Sequence, residues 1–171
     1  MLECDIAAEL LTDLTVQKKA EAVIEDLKRH SKTLVLAESC TAGLVSGVLA
    51  NIRGASAYLW GSYVCYTQEA KVLMLGLDNN ELTEHGLVCK ETACKMAAGA
   101  LQNSGANLAA AVTGLAGPDG DGRVPVGTIW IATALKGGTI EADVYNFSGS
   151  RNEVRLRAVI AVLESIQKRL T

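Results

Sequence analysis

Short apolar runs, each ending near a turn of small residues, constrain the fold of this chain most strongly. The runs at residues 33–37, 108–112 and 128–135 have the length and composition of buried strands. Around them, apolar residues recur at helical spacing with charged residues on the opposite face, as in residues 16–27. Helices that alternate with buried strands are typical of an α/β fold.

The remaining segments complete a layered architecture. Residues 58–66 predict a further strand, and a turn at 136–138 leads into a last strand in which Ile140, Ala142 and Val144 would face the core. Further helices are expected at residues 67–75, at residues 93–101 with an end near Gly105, and from Ser150, where Glu153 completes a capping box. We predict a three-layer α/β/α sandwich with a mixed, mostly parallel five-stranded sheet.

Composition limits the partners and the metal chemistry. Of the 171 residues, 49% are apolar but only 4% are aromatic, so we expect an aliphatic core in a single domain (1–171, with 1–14 as an N-terminal extension). A net charge of -3 without a basic block argues against nucleic acid, and no apolar stretch is long enough to span a membrane. The acidic N-terminus and five cysteines without a CxxC pair indicate a cytoplasmic protein with reduced thiols, no metal and no cofactor.

Ser39 is the first candidate for chemistry. It lies in the turn AESCTAG between a buried strand and a helix, at the edge of the sheet where open α/β sheets bind ligands. Backbone N–H groups of the turn from Cys40 to Gly43 could hold an oxyanion. The plain alternative is that Ser39 and Thr41 only cap the helix.

A nucleophilic serine needs a base, and Lys71 is the best placed candidate. His30 and His85 are not expected near the end of a strand, whereas Lys71 follows the second strand closely. Burial readily lowers the pKa of a lysine. A solvated lysine beside Glu69 is the alternative.

Cys40 is a rival nucleophile, because a helix N-terminus favours the thiolate. More often such a cysteine is a small buried apolar residue, and it would point away from Ser39. A cysteine hydrolase therefore stays open. Gly43 and Gly47, four residues apart, predict close packing of the helix that follows.

The glycine-rich segment 113–122 is a second candidate site. Its glycines let backbone N–H groups converge on a phosphate, but it lacks the spacing of a P-loop. Asp119 and Asp121 leave a metal-dependent phosphohydrolase as a weaker rival, and a plain surface loop is the alternative.

Arg151 and Arg155 continue the buried stripe of the last helix. A charge in that position needs a partner, so we expect either a carboxylate in the core or an anionic ligand.

Together these residues resemble the C-terminal domain of the CinA (competence/damage-inducible) family, which includes nicotinamide-nucleotide amidases. The resemblance covers about residues 15–170 and depends on several motifs in one order: AESCTAG, YTQEAK, TGLAGPDG, PVGT and FSGSRNEVR. Ala42 stands where the family usually has a second glycine, which could affect substrate entry, and Cys89 stands where many members have a capping serine.

The resemblance implies a serine-lysine amidase that converts nicotinamide mononucleotide to nicotinate mononucleotide and ammonia without a metal. Carried over by motif, Ser39 is the nucleophile, Lys71 the base, and Tyr66 and Thr113 polar catalytic positions. The substrate-binding positions would be Cys40, Thr41, Gly43, Gly114, Gly117, Pro118 and Arg155. The alternative is a non-catalytic nucleotide-binding domain or an interaction domain in competence or DNA damage. Aliphatic outer faces predict a homodimer.

Overall fold

A computed structural model describes residues 12–171, so the predicted extension at 1–14 lies almost wholly outside the described residues. The helices are α1 (Leu14–Arg29), α2 (Leu44–Ala50), α3 (Gln68–Leu75), α4 (Asn79–His85), α5 (Lys90–Ser104) and α6 (Arg151–Leu170). The strands are β1 (Leu34–Glu38), β2 (Leu59–Val64), β3 (Leu108–Gly114), β4 (Thr128–Leu135) and β5 (Ile140–Asn146). A 3-10 turn spans Ala55–Ala57.

The five strands form one mixed sheet in the order β2-β1-β3-β4-β5. β1 pairs in parallel with β2 and β3, whereas β4 pairs antiparallel with β3 and β5. Among the described strands β4 therefore runs against the other four. The carboxyl ends of β1, β2 and β3 meet at one edge, where we expected the site.

Helices cover both faces of the sheet, which confirms the predicted three-layer sandwich. α1, α2 and α6 pack on the face that carries Leu34 and Leu36. α3, α4 and α5 pack on the other face, which is built largely from small side chains: Ala37, Ala109, Ala111, Ala132 and Ala134. Small side chains let helices approach the sheet closely, and the buried lysine described below lies on this side.

The edge strand β5 differs from the prediction. Ile140 and Val144 are 44% and 46% exposed rather than buried. Ala142, which lies between them, packs against the core cluster on the α5 side, while on the opposite face Tyr145 packs against the other cluster and Glu141 pairs with Arg169 of α6. Both faces of this edge strand are therefore partly covered, and of the three residues expected to face the core only Ala142 packs inside.

Two further features differ from the prediction. No helix was predicted at residues 79–85, which form α4 after the N-cap Asp78. Gly47 is exposed, and a Cβ atom placed on it would meet no atom within 4 Å, so α2 needs no glycine there for close packing. No helix among residues 12–171 is long and apolar enough to cross a membrane.

Candidate active site

Ser39 and Lys71 meet at the carboxyl end of β1, although 32 positions separate them in the chain. Nζ of Lys71 lies 3.0 Å from Oγ of Ser39 and 2.8 Å from the carbonyl oxygen of Cys65. Both side chains are buried, and Lys71 has no exposed surface at all. The structure therefore brings together the two groups that the sequence analysis required to meet.

Helix α3 aims Lys71 inward. The Thr67 side chain caps its start, and Lys71 and Leu75, one turn apart, form its buried face. Gly99 of α5 allows this packing, because a Cβ there would lie 2.2 Å from the carbonyl oxygen of Leu75. Burial of Lys71 lowers the pKa of its amine from the usual 10.5, which favours the neutral form that can accept a proton.

Glu38 organises the turn that carries Ser39, and the sequence analysis missed it. Its carboxylate has no exposed surface and accepts five hydrogen bonds of 2.8 to 3.1 Å. The donors are the Thr41 and Ser62 hydroxyls and the N–H groups of Gly43, Val45 and Ser46. An acidic residue that ends an apolar run just before a helix was the signal that could have identified it.

The Glu38 carboxylate changes the expected oxyanion site. The N–H of Gly43 donates to Glu38, and that of Ala42 donates to the carbonyl of Ser39. These two groups are therefore occupied, contrary to the expectation that the whole turn could hold an oxyanion. Within residues 12–171 the N–H groups of Cys40 and Thr41 donate to no oxygen atom, so these two groups are the candidate oxyanion donors beside Ser39.

The structure does not favour Cys40 as a nucleophile. Its side chain belongs to the aliphatic core on the α1 and α6 side of the sheet. Burial raises the pKa of its thiol to about 12, the reverse of what a reactive thiolate needs.

A cavity of about 650 Å³ opens beside Ser39 and Lys71. The loop 115–127 forms one wall and α4 with the segment before α5 forms another; the lining includes Cys40, Tyr66, Thr113, Gly114, Gly117 and Pro118. Thr113 is buried and donates its hydroxyl proton to the carbonyl of Leu87 at 2.7 Å, which leaves its oxygen free to accept. The volume suits a ligand of nucleotide size.

Arg151 reaches the cavity, and Arg155 does not. Arg151 donates to the Gly117 carbonyl at 2.6 Å and to the Tyr66 hydroxyl at 2.7 Å. Arg155 instead donates to the carbonyls of Cys40 and Thr41, behind the turn. We expected each arginine to meet a carboxylate or an anionic ligand. Instead, Arg155 donates to backbone carbonyls and Arg151 to a carbonyl and a hydroxyl, because helix α6 starts beside the turn and the loop.

Gly127 helps to place Arg151 beside the cavity. The N–H of Phe147 donates to the Gly127 carbonyl, and a Cβ on Gly127 would lie 1.9 Å from the Phe147 carbonyl oxygen. This close approach holds the end of the loop against the segment that leads into α6.

Three of the expected substrate-binding residues, Thr41, Gly43 and Arg155, do not line the cavity in the described part of the chain.

Two acidic residues of the loop, Asp119 and Asp121, line the cavity. Asp121 also accepts the N–H groups of Val124 and Arg123, and these hydrogen bonds lower its pKa. The Arg123 guanidinium donates to the carbonyl of Thr83 at the end of α4. Over residues 12–171 no three His, Cys, Asp or Glu side chains cluster as a metal site would require.

Ala42 does not narrow the cavity. It is exposed, does not line the cavity, and has a φ of 51°, in the left-handed region that favours glycine. The departure from the family pattern therefore affects the backbone of the turn rather than substrate entry.

Comparisons with known proteins agree with the fold and with the motifs. The chain is 38% identical over 157 residues to the nicotinamide-nucleotide amidohydrolase PncC of Escherichia coli K12, covering 91% of this chain and 95% of that protein. It is 44% identical over 139 residues to a CinA-like protein of Geobacter metallireducens, covering 81% of this chain and 33% of that longer protein.

Among solved structures, the competence/damage inducible protein CihA of Agrobacterium tumefaciens superposes with a TM-score of 0.86 at 39% identity, covering 90% of this chain and 94% of that chain. The CinA C-terminal domain family matches residues 16–170. This chain belongs to the CinA C-terminal domain family.

Proposed function

We propose that the protein hydrolyses the carboxamide of a nicotinamide nucleotide, with nicotinamide mononucleotide giving nicotinate mononucleotide and ammonia. The contact of 3.0 Å between the Ser39 hydroxyl and the buried amine of Lys71 is the observation that carries the proposal. The similarity to an amidohydrolase of this specificity over nearly the whole length of both chains supports it.

In the proposed reaction, Ser39 is the nucleophile and Lys71 the base. Neutral Lys71 takes the hydroxyl proton as Oγ forms a bond to the amide carbon. As the C–N bond breaks, the proton passes from Lys71 to the leaving nitrogen, and ammonia departs. Water then attacks the acyl ester with Lys71 again taking a proton, and this proton returns to Oγ as the ester C–O bond breaks. The carboxylic acid that is released loses its proton to solvent and leaves as the carboxylate.

The remaining groups orient the substrate. The N–H of Cys40 donates to no oxygen atom of residues 12–171 and directly follows the nucleophile, which supports a role as oxyanion donor. Tyr66, held by Arg151, and Thr113, whose oxygen can still accept, are proposed to contact the amide. The loop residues Gly114, Gly117 and Pro118 line the cavity and are proposed to hold the ribose phosphate.

The test is release of ammonia from nicotinamide mononucleotide by the wild type and by Ser39→Ala. We expect Ser39→Ala to lower kcat by at least about 10³-fold, because loss of a nucleophile removes the covalent route. Full activity in this variant would eliminate the proposed nucleophile.

Cys40→Ala is the matched control, because Cys40 is the adjacent residue and the rival nucleophile. It should retain turnover, whereas a cysteine hydrolase would lose it. Tight binding of the nucleotide by the wild type without turnover would instead support the non-catalytic alternative.

Assembly and location belong to the same proposal. The exposed side chains of Ile140 and Val144 on the edge strand support a homodimer, and the proposed substrate suits a cytoplasmic enzyme. Sedimentation of the purified chain tests the dimer directly.

A further inference from the structure

A second fully buried charged side chain lies next to the reacting pair. Glu38 immediately precedes Ser39, and its carboxylate is surrounded by neutral donors: two hydroxyls and three backbone N–H groups. No Lys or Arg of residues 12–171 donates a hydrogen bond to it. Its charge is therefore balanced by oriented dipoles of the α2 N-terminus, without help from Lys71.

We propose that Glu38 is a positioning residue for the reaction: its carboxylate fixes the β1–α2 turn so that Ser39 Oγ stays against Lys71 Nζ. The inference rests on the proposed roles of Ser39 and Lys71. It adds a group that touches neither the substrate nor the reacting atoms.

Glu38 connects the two reacting groups by a closed ring of contacts. Its backbone leads into Ser39, and its carbonyl accepts the N–H of Cys65 at 2.9 Å. The carbonyl of Cys65 in turn accepts from Nζ of Lys71 at 2.8 Å, and Nζ contacts Ser39 Oγ at 3.0 Å. Anything that loosens the turn therefore changes the place of Ser39 relative to the lysine.

The carboxylate has a second consequence for ligands. Helix N-termini attract anions, but here the N–H groups of Gly43, Val45 and Ser46 already donate to Glu38. These N–H groups, which also lie outside the cavity lining, are therefore not available to the substrate phosphate, and we expect residues that line the cavity to hold it.

Glu38→Gln keeps the size of the side chain but replaces an acceptor oxygen with an NH2 group. That group would face backbone donors and could not accept from them. The turn should relax and admit water around Lys71, so the pKa of the lysine should rise toward its ordinary value. Simple loss of a negative charge nearby would have the opposite effect and lower that pKa.

The experiment measures kcat and KM for nicotinamide mononucleotide against pH in the wild type and in Glu38→Gln. We expect kcat to fall about 10- to 100-fold with little change in KM, the range that a misplacement of about 1 Å can produce. The acid limb of the kcat/KM profile should move to higher pH. Glu21→Gln, the same change on the exposed side of α1, is the control and should behave as wild type.

Thr41 provides a milder pair of variants should Glu38→Gln not fold. Thr41→Val removes one donor, the hydroxyl 2.8 Å from the Glu38 carboxylate, without changing the volume. It should move kcat and the acid limb in the same direction by a smaller amount. Thr41→Ser keeps the donor and should move them less than Thr41→Val does.

The outcomes separate this inference from the proposed function. An acid limb that stays in place, or moves to lower pH, in both Glu38→Gln and Thr41→Val would overturn the positioning role. Ser39→Ala, assayed alongside, reports on the nucleophile: if it is inactive while the Glu38 variant keeps the wild-type profile, only the inference about Glu38 fails.

Discussion

The turn that carries Ser39 and the helix that carries Lys71 are held in place in different ways. Hydrogen bonds hold the turn in place, since Glu38 accepts from five donors while α2 is open to solvent at Gly47. Close packing holds α3 in place, since Gly99 of α5 lies directly against the end of that helix. Within the described residues 12–171, Lys71 donates to only two acceptors.

The difference shows how one domain can bury an acidic and a basic side chain for different purposes. A carboxylate supplied with many oriented donors is a fixed structural anion. An amine buried with few acceptors is poorly compensated, and its pKa falls until it can serve as a base.

The largest effect should come from removing the amine. Lys71→Met keeps the length and the apolar part of the side chain but cannot accept a proton, so we expect kcat/KM to fall by about 10³-fold. Lys18→Met, on the exposed face of α1, is the matched control. An ammonia-release assay decides, and near-normal turnover in Lys71→Met would remove the contrast between the two regions.

The next largest effect should come from adding a methyl group at the two glycines, because Gly99 packs closely against α3 whereas Gly47 of α2 faces open space. Gly99→Ala places a methyl group where the Leu75 carbonyl lies, and should destabilise the protein by about 1–3 kcal/mol. Gly47→Ala adds the same methyl group to an open helical position and should stabilise it by about 0.5–1 kcal/mol. Urea unfolding measures both changes; equal effects at the two glycines would contradict the comparison.

A smaller effect should appear in the pH dependence of stability. The pKa of Lys71 is lowered in the folded state by burial, so between that pKa and 10.5 the unfolded chain binds more protons. Its contribution to the free energy of unfolding therefore rises with pH across this window.

The matched measurement is urea unfolding of the wild type and Lys71→Met at several pH values below 10.5. The stability of the wild type relative to the variant should increase with pH, with a slope of at most about 1.4 kcal/mol per pH unit. A relative stability that stays constant or falls with pH would show that burial does not lower the pKa of Lys71 in the folded state.

The smallest effect belongs to the backbone of the turn. Ala42 has a φ of 51°, so Ala42→Gly should relieve strain and raise stability by about 1 kcal/mol. The gain in the midpoint of thermal unfolding would be about 2–4 °C. Destabilisation by this change would mean that chain entropy outweighs the strain.

Patterns within single elements could be predicted well. The lengths of the apolar runs located the strands. The Ser150 and Glu153 pair located the start of α6, and Gly105 located the end of α5. The surroundings of single side chains were harder to predict. Arg155 was expected to meet a carboxylate or an anionic ligand, but it donates to carbonyls of the turn. Ile140 and Val144 of β5 were expected to face the core but are exposed.

The α/β architecture, the family and the candidate serine-lysine pair can be read from the amino-acid sequence, because they depend on periodicity and on motifs. The contacts of Glu38 with the start of α2 are mostly local, and its position before the helix could have indicated them. That Arg151 rather than Arg155 reaches the cavity, and that Cys40 lies in the core, follows only from the three-dimensional packing, because these contacts join elements far apart in the chain.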